Sequence, residues 1–215
     1  MSIIIGYDVT HANIASAPKT GQAAGYCTGS PSVCWTDADK VAHPGWVQID
    51  QSPSNTPLDE TADVLDYENG AATLATLVGW AEAALANFKG ATRPLQRTPL
   101  IYLSEANLTP VANKLTSAGL ANGSIGLFIA DWNWTQAVGI AQISTAGGPF
   151  PIHAVQIKNA GPYDIDVFSA AWLQNVAHKP APVATATCQG VTLYTVNAEL
   201  KSRPVTSADG GITWK

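Results

Sequence analysis

Ala62-Asp63-Val64-Leu65-Asp66-Tyr67-Glu68-Asn69-Gly70 is the stretch on which the fold turns: a short apolar run ends in acids and a glycine, and a helical pattern starts after it. In that pattern Leu74, Leu77, Val78, Ala81, Leu85 and Phe88 recur with the 3.6-residue period, so the segment reads as strand, turn and amphipathic helix. The unit repeats outward in both directions. Further strand-like runs occupy residues 3–8, 23–27, 46–50, 99–104, 126–131 and 152–157, several ending in a polar or acidic side chain such as Asp8, Asp50 or Asp131. Thr36, with Asp37 and Asp39 behind it, suits the start of a short helix. Thr109-Pro110 suits the N-cap and first turn of another, which Gly119 would stop, and Phe168, Trp172, Leu173 and Val176 mark a closing helix.

Strands alternating with helices predict a parallel barrel that delivers its functional side chains at the strand C-termini. Residues 1–178 are too few for a full ring of helices, so the expectation is an α/β fold: a compact, irregular TIM-like (β/α) barrel with some helices short or absent. Residues 179–215 change character. A Pro180-Ala181-Pro182 linker leads to runs at 191–196 and 212–214 that look like antiparallel strands of a small β appendage.

Composition narrows the possible functions. With 215 residues, 46% of them hydrophobic, the chain can bury a substantial core, while Lys+Arg 11 against Asp+Glu 16 provides no basic footprint for nucleic acid. No apolar run approaches the roughly 20 residues that cross a bilayer, so membrane insertion is not expected. The start Met1-Ser2-Ile3-Ile4-Ile5 has neither the basic nor the long apolar region of a signal peptide. Cysteines stand at 27, 34 and 188; Cys27 and Cys34 read either as a short-loop disulfide or as buried free thiols. His11 is near enough to Asp8 in sequence to orient it, but His43, His153 and His178 lack ligand spacing, so neither metal nor cofactor is expected. Nucleophile elbows and phosphate-cradling glycine loops are absent from the sequence.

Asp66 and Glu68, two apart on one strand, would project to the same face with Cα atoms roughly 6.6 Å apart. Such a pair suits glycosidic cleavage, which needs one carboxyl kept protonated for the leaving oxygen and a second negative group near the developing oxocarbenium charge. Crowding of like charges is one way a Glu keeps its proton near neutrality.

Four motifs in order carry a resemblance to glycoside hydrolase family 25, the Chalaropsis-type lysozymes. Gly6-Tyr7-Asp8-Val9-Thr10 resembles that family's first-strand motif and Leu65-Asp66-Tyr67-Glu68 its middle-strand acidic motif; Ile101-Tyr102 resembles its Tyr-bearing strand and Tyr163-Asp164-Ile165-Asp166-Val167-Phe168 its final motif. The resemblance covers residues 1 to about 175 and rests on the combination. It implies an N-acetylmuramidase acting on bacterial cell-wall glycan, with Glu68 as general acid/base, Asp66 as nucleophile or orienter, and Asp8 and Asp164 completing an acidic cleft. In place of the family's aromatic cleft strands this chain has Trp46-Val47-Gln48-Ile49-Asp50 and Val155-Gln156-Ile157. Tyr102, Trp132 and Trp134 are candidate replacements for stacking on sugars, and the strand-end residues Tyr26, Asp50 and Asp131 are candidate polar contacts.

Ser207-Ala208-Asp209-Gly210-Gly211-Ile212-Thr213-Trp214 fits the Asp-box pattern of β-hairpins in sialidases and phage tail proteins, where it is structural. The expected setting is extracellular or virion-associated, or that of a phage lysin made in the host cytoplasm. The alternative is a non-catalytic, glycan-binding or structural barrel of a phage tail or surface protein, with the appendage serving self-association or virion partners.

Overall fold

A computed structural model describes residues 2–51, 59, 61–68, 72–89, 97–143 and 149–174, together with the backbone of 187–188, 191–192, 205–206 and 213–214. The chain forms two compact units, Met1–Val176 and Ala177–Lys215. The boundary expected at 178/179 lies outside the described residues, as do Val176 and the side chain of Phe88.

The first unit is a closed eight-stranded barrel with strands neighbouring one another in chain order: β1 (Ile3–Val9), β2 (Gln22–Tyr26), β3 (Val47–Asp50), β4 (Val64–Asp66), β5 (Leu100–Ser104), β6 (Gly126–Ala130), β7 (Ile152–Asn159) and β8 (Asp164–Ser169). Strands β1 to β7 pair in parallel, whereas β8 runs antiparallel to both β7 and β1. That reversal departs from the all-parallel expectation. Asn159 and Asp164 are joined by a tight turn in which Gly161 has φ 95°, and so short a link makes a hairpin but cannot carry a parallel crossover. The hairpin has a functional consequence: Asp164, the first residue of β8, lies at the barrel end where β1 to β7 finish.

Helices are unevenly spread among the connections. A 3-10 segment (His11–Ser16) follows β1, and α1 (Asp37–Ala42) starts after Thr36 as expected, with Thr36 and Asp39 forming a capping box. Helices α2 (Leu74–Lys89), α3 (Leu108–Ser117) and α4 (Gln136–Gln142) follow β4, β5 and β6. Asn107 stands at the N-cap position of α3, without a side-chain capping bond, where Thr109 was expected, and Gly119 at φ 76° follows the helix end. The closing helix α5 (Ala170–Gln174) holds Trp172 and Leu173, while Phe168 belongs to β8.

Period-two alternation along the strands sorts the side chains. Ala24, Val47, Val64, Leu100, Phe128, Ala154 and Phe168 fill the barrel, and Leu65, Ile101, Leu103, Leu127 and Ile129 face outward to meet α2 and α3. Each fully buried Leu among them contributes roughly 1.5–3 kcal/mol. Near β2 the indole of Trp35 stacks on Trp46 at 4.8 Å and presses on Gly25, where a Cβ would lie 2.0 Å from the ring. At the opening where the parallel strands begin, buried Arg97 pairs with Asp63 at 2.9 Å and donates to the carbonyls of Trp46 and Gly45.

The second unit contains two antiparallel ladders, Thr187–Cys188 with Val191–Thr192 and Val205–Thr206 with Thr213–Trp214. The latter brackets the Asp-box, whose residues 207–212 lie outside the described residues, as does the rest of the 191–196 run. No described helix is long and apolar enough to cross a membrane.

Candidate active site

The open end of the barrel is floored by acids. Asp8 and Asp164 are direct partners in the antiparallel ladder between β1 and β8, so their side chains project from one face as opposed cross-strand neighbours. Asp66 closes β4 at the same end, and Glu68 stands two residues beyond, past the end of that strand. Burial separates the pair: Asp66 is 2% exposed, whereas Glu68 is exposed at the rim.

Uncharged amides organise the cluster. Gln156, buried in β7, donates from Nε2 to Asp8 Oδ2 at 2.8 Å, while its Oε1 accepts from the Tyr102 hydroxyl and the Trp132 indole, both at 2.9 Å. These partners fix the orientation of the Gln156 amide. Asp8 also accepts from the Tyr26 hydroxyl at 3.4 Å, and Asp66 accepts from Gln51 Nε2 at 3.1 Å. One oxygen each of Asp66 and Asp164, and both oxygens of the fully buried Asp166, have no hydrogen-bond partner among the described residues.

Burial with like charges nearby drives these carboxyl groups toward their neutral forms. Desolvation, then Asp164, pushes Asp8 up to about 7 against hydrogen bonds from Gln156 and Tyr26. Burial, then Glu68, pushes Asp66 up to about 8, with Gln51 opposing. For Asp164 the same two causes reach only about 6. Partial burial also raises Glu68, and the nearby Tyr102 hydroxyl opposes the shift. Asp166 stands well above the carboxylate range, through burial and then its neighbours Asp8 and Asp164. At neutral pH Asp66 therefore favours its protonated form, and Asp164 ionises more readily than Asp8 or Asp66.

At this end of the barrel, beside the ends of β5 and β6, lies a cleft of about 410 Å³ whose walls include Glu68, Ser104, Glu105, Asp131, Trp132 and Asn133. That volume is within the range of small-molecule sites, about 300–1,000 Å³. Glu68 is the member of the acidic cluster that reaches this cleft. Trp132 is 61% exposed, and its indole bond to Gln156 holds the ring in place. Asp131 shapes the turn beneath it, accepting from the Asn133 amide at 2.8 Å.

The structure thus gathers Asp8, Asp66, Glu68, Asp164, Tyr26, Tyr102, Asp131 and Trp132 at one end. It does not bring every candidate there. Trp134 packs into the apolar layers outside the barrel, because the turn after β6 directs it toward α4 and β7. Asp50 alternates with the inward Ile49 and serves a loop, accepting from Thr28 Oγ1 at 2.5 Å and the Asp59 amide at 2.6 Å. His11 bonds Asp39 at 2.7 Å instead of orienting Asp8. Cys27 and Cys34 are free thiols. Among the described residues no group of three His, Cys, Asp or Glu is arranged to hold a metal ion.

Gln51, Gln156, Asp166, Ser104, Glu105 and Asn133 were not singled out from sequence. No known protein-family model matches this chain, and comparison with curated proteins and with solved structures finds no match either.

Proposed function

We propose that the chain is a lysozyme-type glycoside hydrolase that cleaves the β-1,4 bond following N-acetylmuramic acid in bacterial peptidoglycan without a cofactor. The observation that carries this reading is the convergence of Asp8, Asp66 and Asp164 at the same barrel end as a cleft bordered by Glu68 and an exposed Trp132. The ordered motifs resembling glycoside hydrolase family 25 support it, as does a barrel that presents its acids where the parallel strands end, in the manner of TIM-like hydrolases. A phage lysin, a virion component or a secreted enzyme would all meet this substrate.

Each residue's role follows from its protonation and access. Glu68, raised by burial yet open to the cleft, donates its proton to the glycosidic oxygen as the bond to C1 breaks. The substrate's acetamido oxygen captures C1; water then attacks that carbon and returns a proton to Glu68. Asp164 supplies negative charge near C1, while Asp66, at about 8, is neutral at pH 7 and serves as orienter. Trp132 offers its ring face to a sugar.

The test is clearance of a peptidoglycan suspension by the parent protein and by Glu68→Gln. Clearance by the parent alone supports the enzyme. A second reading, a glycan-binding barrel without catalysis, is favoured by the exposure of Glu68 and the single exposed aromatic ring at the cleft. It predicts that both proteins co-sediment with cell walls and neither clears them.

A further inference from the structure

Asp166 is unused by the mechanism above and is poorly provided for. It lies on the inner face of β8, one inward position deeper than Asp164, and is 0% exposed. Its ladder partners are Gly6 on β1, which has no side chain, and Gln156 on β7, whose amide is committed to Asp8, Tyr102 and Trp132. Around it stand Asp8 from β1, Asp164 on its own strand, and Tyr102 from β5, with Asp66 and Glu68 farther around the acidic end. Buried Arg97 is paired with Asp63 where the parallel strands begin. An ionised Asp166 would therefore be an anion among anions, so the carboxylic acid is the form this position accommodates.

A neutral carboxyl is also a donor. Two residues along the same inward face, Asp164 Oδ1 is a buried acceptor with no hydrogen-bond partner. The unmet donor and the unmet acceptor complement each other.

The geometry points to Asp166 as a positioning residue that donates its carboxyl proton in a hydrogen bond to Asp164 Oδ1, directly or through one buried water, holding Asp164 as a carboxylate at the acidic end of the barrel. The assignment of a catalytic purpose rests on the hydrolase reading; the hydrogen bond does not. Asparagine would keep a neutral donor at this position, and leucine would remove it.

The test is a carbon-13 NMR titration of the Asp164 side chain in the parent protein, Asp166→Asn and Asp166→Leu. Asp166→Leu is expected to raise the Asp164 midpoint by roughly one to two pH units, the worth of a hydrogen bond to an ionised group. Asp166→Asn should leave it near the parent value. An unmoved midpoint in the leucine variant, or equal shifts in both variants, overturns the assignment. Should Asp166→Leu fail to fold, the infrared difference between parent and Asp166→Asn at neutral pH decides: loss of a carboxylic-acid carbonyl band supports the proposal, and loss of carboxylate bands refutes it. Both measurements proceed without hydrolysis, so they remain decisive if the chain cleaves no glycan. If it does, Asp166→Leu should also move the acid limb of the pH–rate profile upward while Asp166→Asn restores it.

Discussion

Replacing Gln156 with leucine removes three hydrogen bonds at once while roughly preserving side-chain volume, so the loss reports polar pairing more than cavity formation. The exposed Trp132 indole can turn to water, but the Tyr102 hydroxyl and Asp8 Oδ2 are buried and lose a partner. An orphaned buried polar group costs about 1–3 kcal/mol, which gives roughly 2–6 kcal/mol for the two. Asp8 already sits at about 7 with Gln156 holding it down, so at neutral pH it can take up a proton and escape part of the penalty. We therefore expect the lower part of the range, about 2–4 kcal/mol. The assay is urea unfolding followed by tryptophan fluorescence at neutral pH, comparing variants at equal slope. A loss below about 0.5 kcal/mol, the scale of an ordinary surface substitution, would refute Gln156 as the organising centre.

Three further outcomes follow from the same structure. Asp8, Asp66 and Asp164 bind protons more tightly folded (about 7, 8 and 6) than an ordinary aspartate does at 3.8, so their contribution is present at low pH and lost as pH rises through the folded values. Urea unfolding at about pH 5 and pH 8.5 should show stability falling by up to about 1.4 kcal/mol per pH unit for each titrating group, whereas a rise across that window contradicts the assignment. Arg97→Met, which takes the guanidinium from buried Asp63, should lower stability by about 3–5 kcal/mol in the same assay, and an unchanged midpoint would count against the pair. Trp132→Ala should weaken chitooligosaccharide binding roughly two- to tenfold by calorimetry, with the fold intact by circular dichroism; unchanged affinity would remove Trp132 from the sugar platform.

Seven of the eight barrel strands could be read from sequence because their apolar runs are bounded by turns and acids. The eighth escaped for a physical reason: Asp164-Ile165-Asp166-Val167-Phe168-Ser169 does alternate, but with acids facing inward and Ile165 and Val167 outward, the reverse of an ordinary half-buried strand. Its direction depends on a turn between Asn159 and Asp164, which apolar periodicity does not report. Spacing did place Asp66 and Glu68 at one end, yet it could not foresee that β4 stops at Asp66, leaving one carboxyl buried and the other at the rim. Gln51 and Gln156 were illegible as site residues because an amide acts here by where its two ends point, which emerges only when distant strands meet. Trp132 and Trp134 are near neighbours with opposite fates, decided by the turn that Asp131 shapes.

The most direct measurement is chemical identification of the reducing ends released from purified sacculi, reduced with borohydride after digestion. Muramitol in the parent digest and its absence with Glu68→Gln is the predicted result. Muramitol at equal yield from both proteins, glucosaminitol in its place, or no new reducing end at all would contradict a Glu68-driven muramidase.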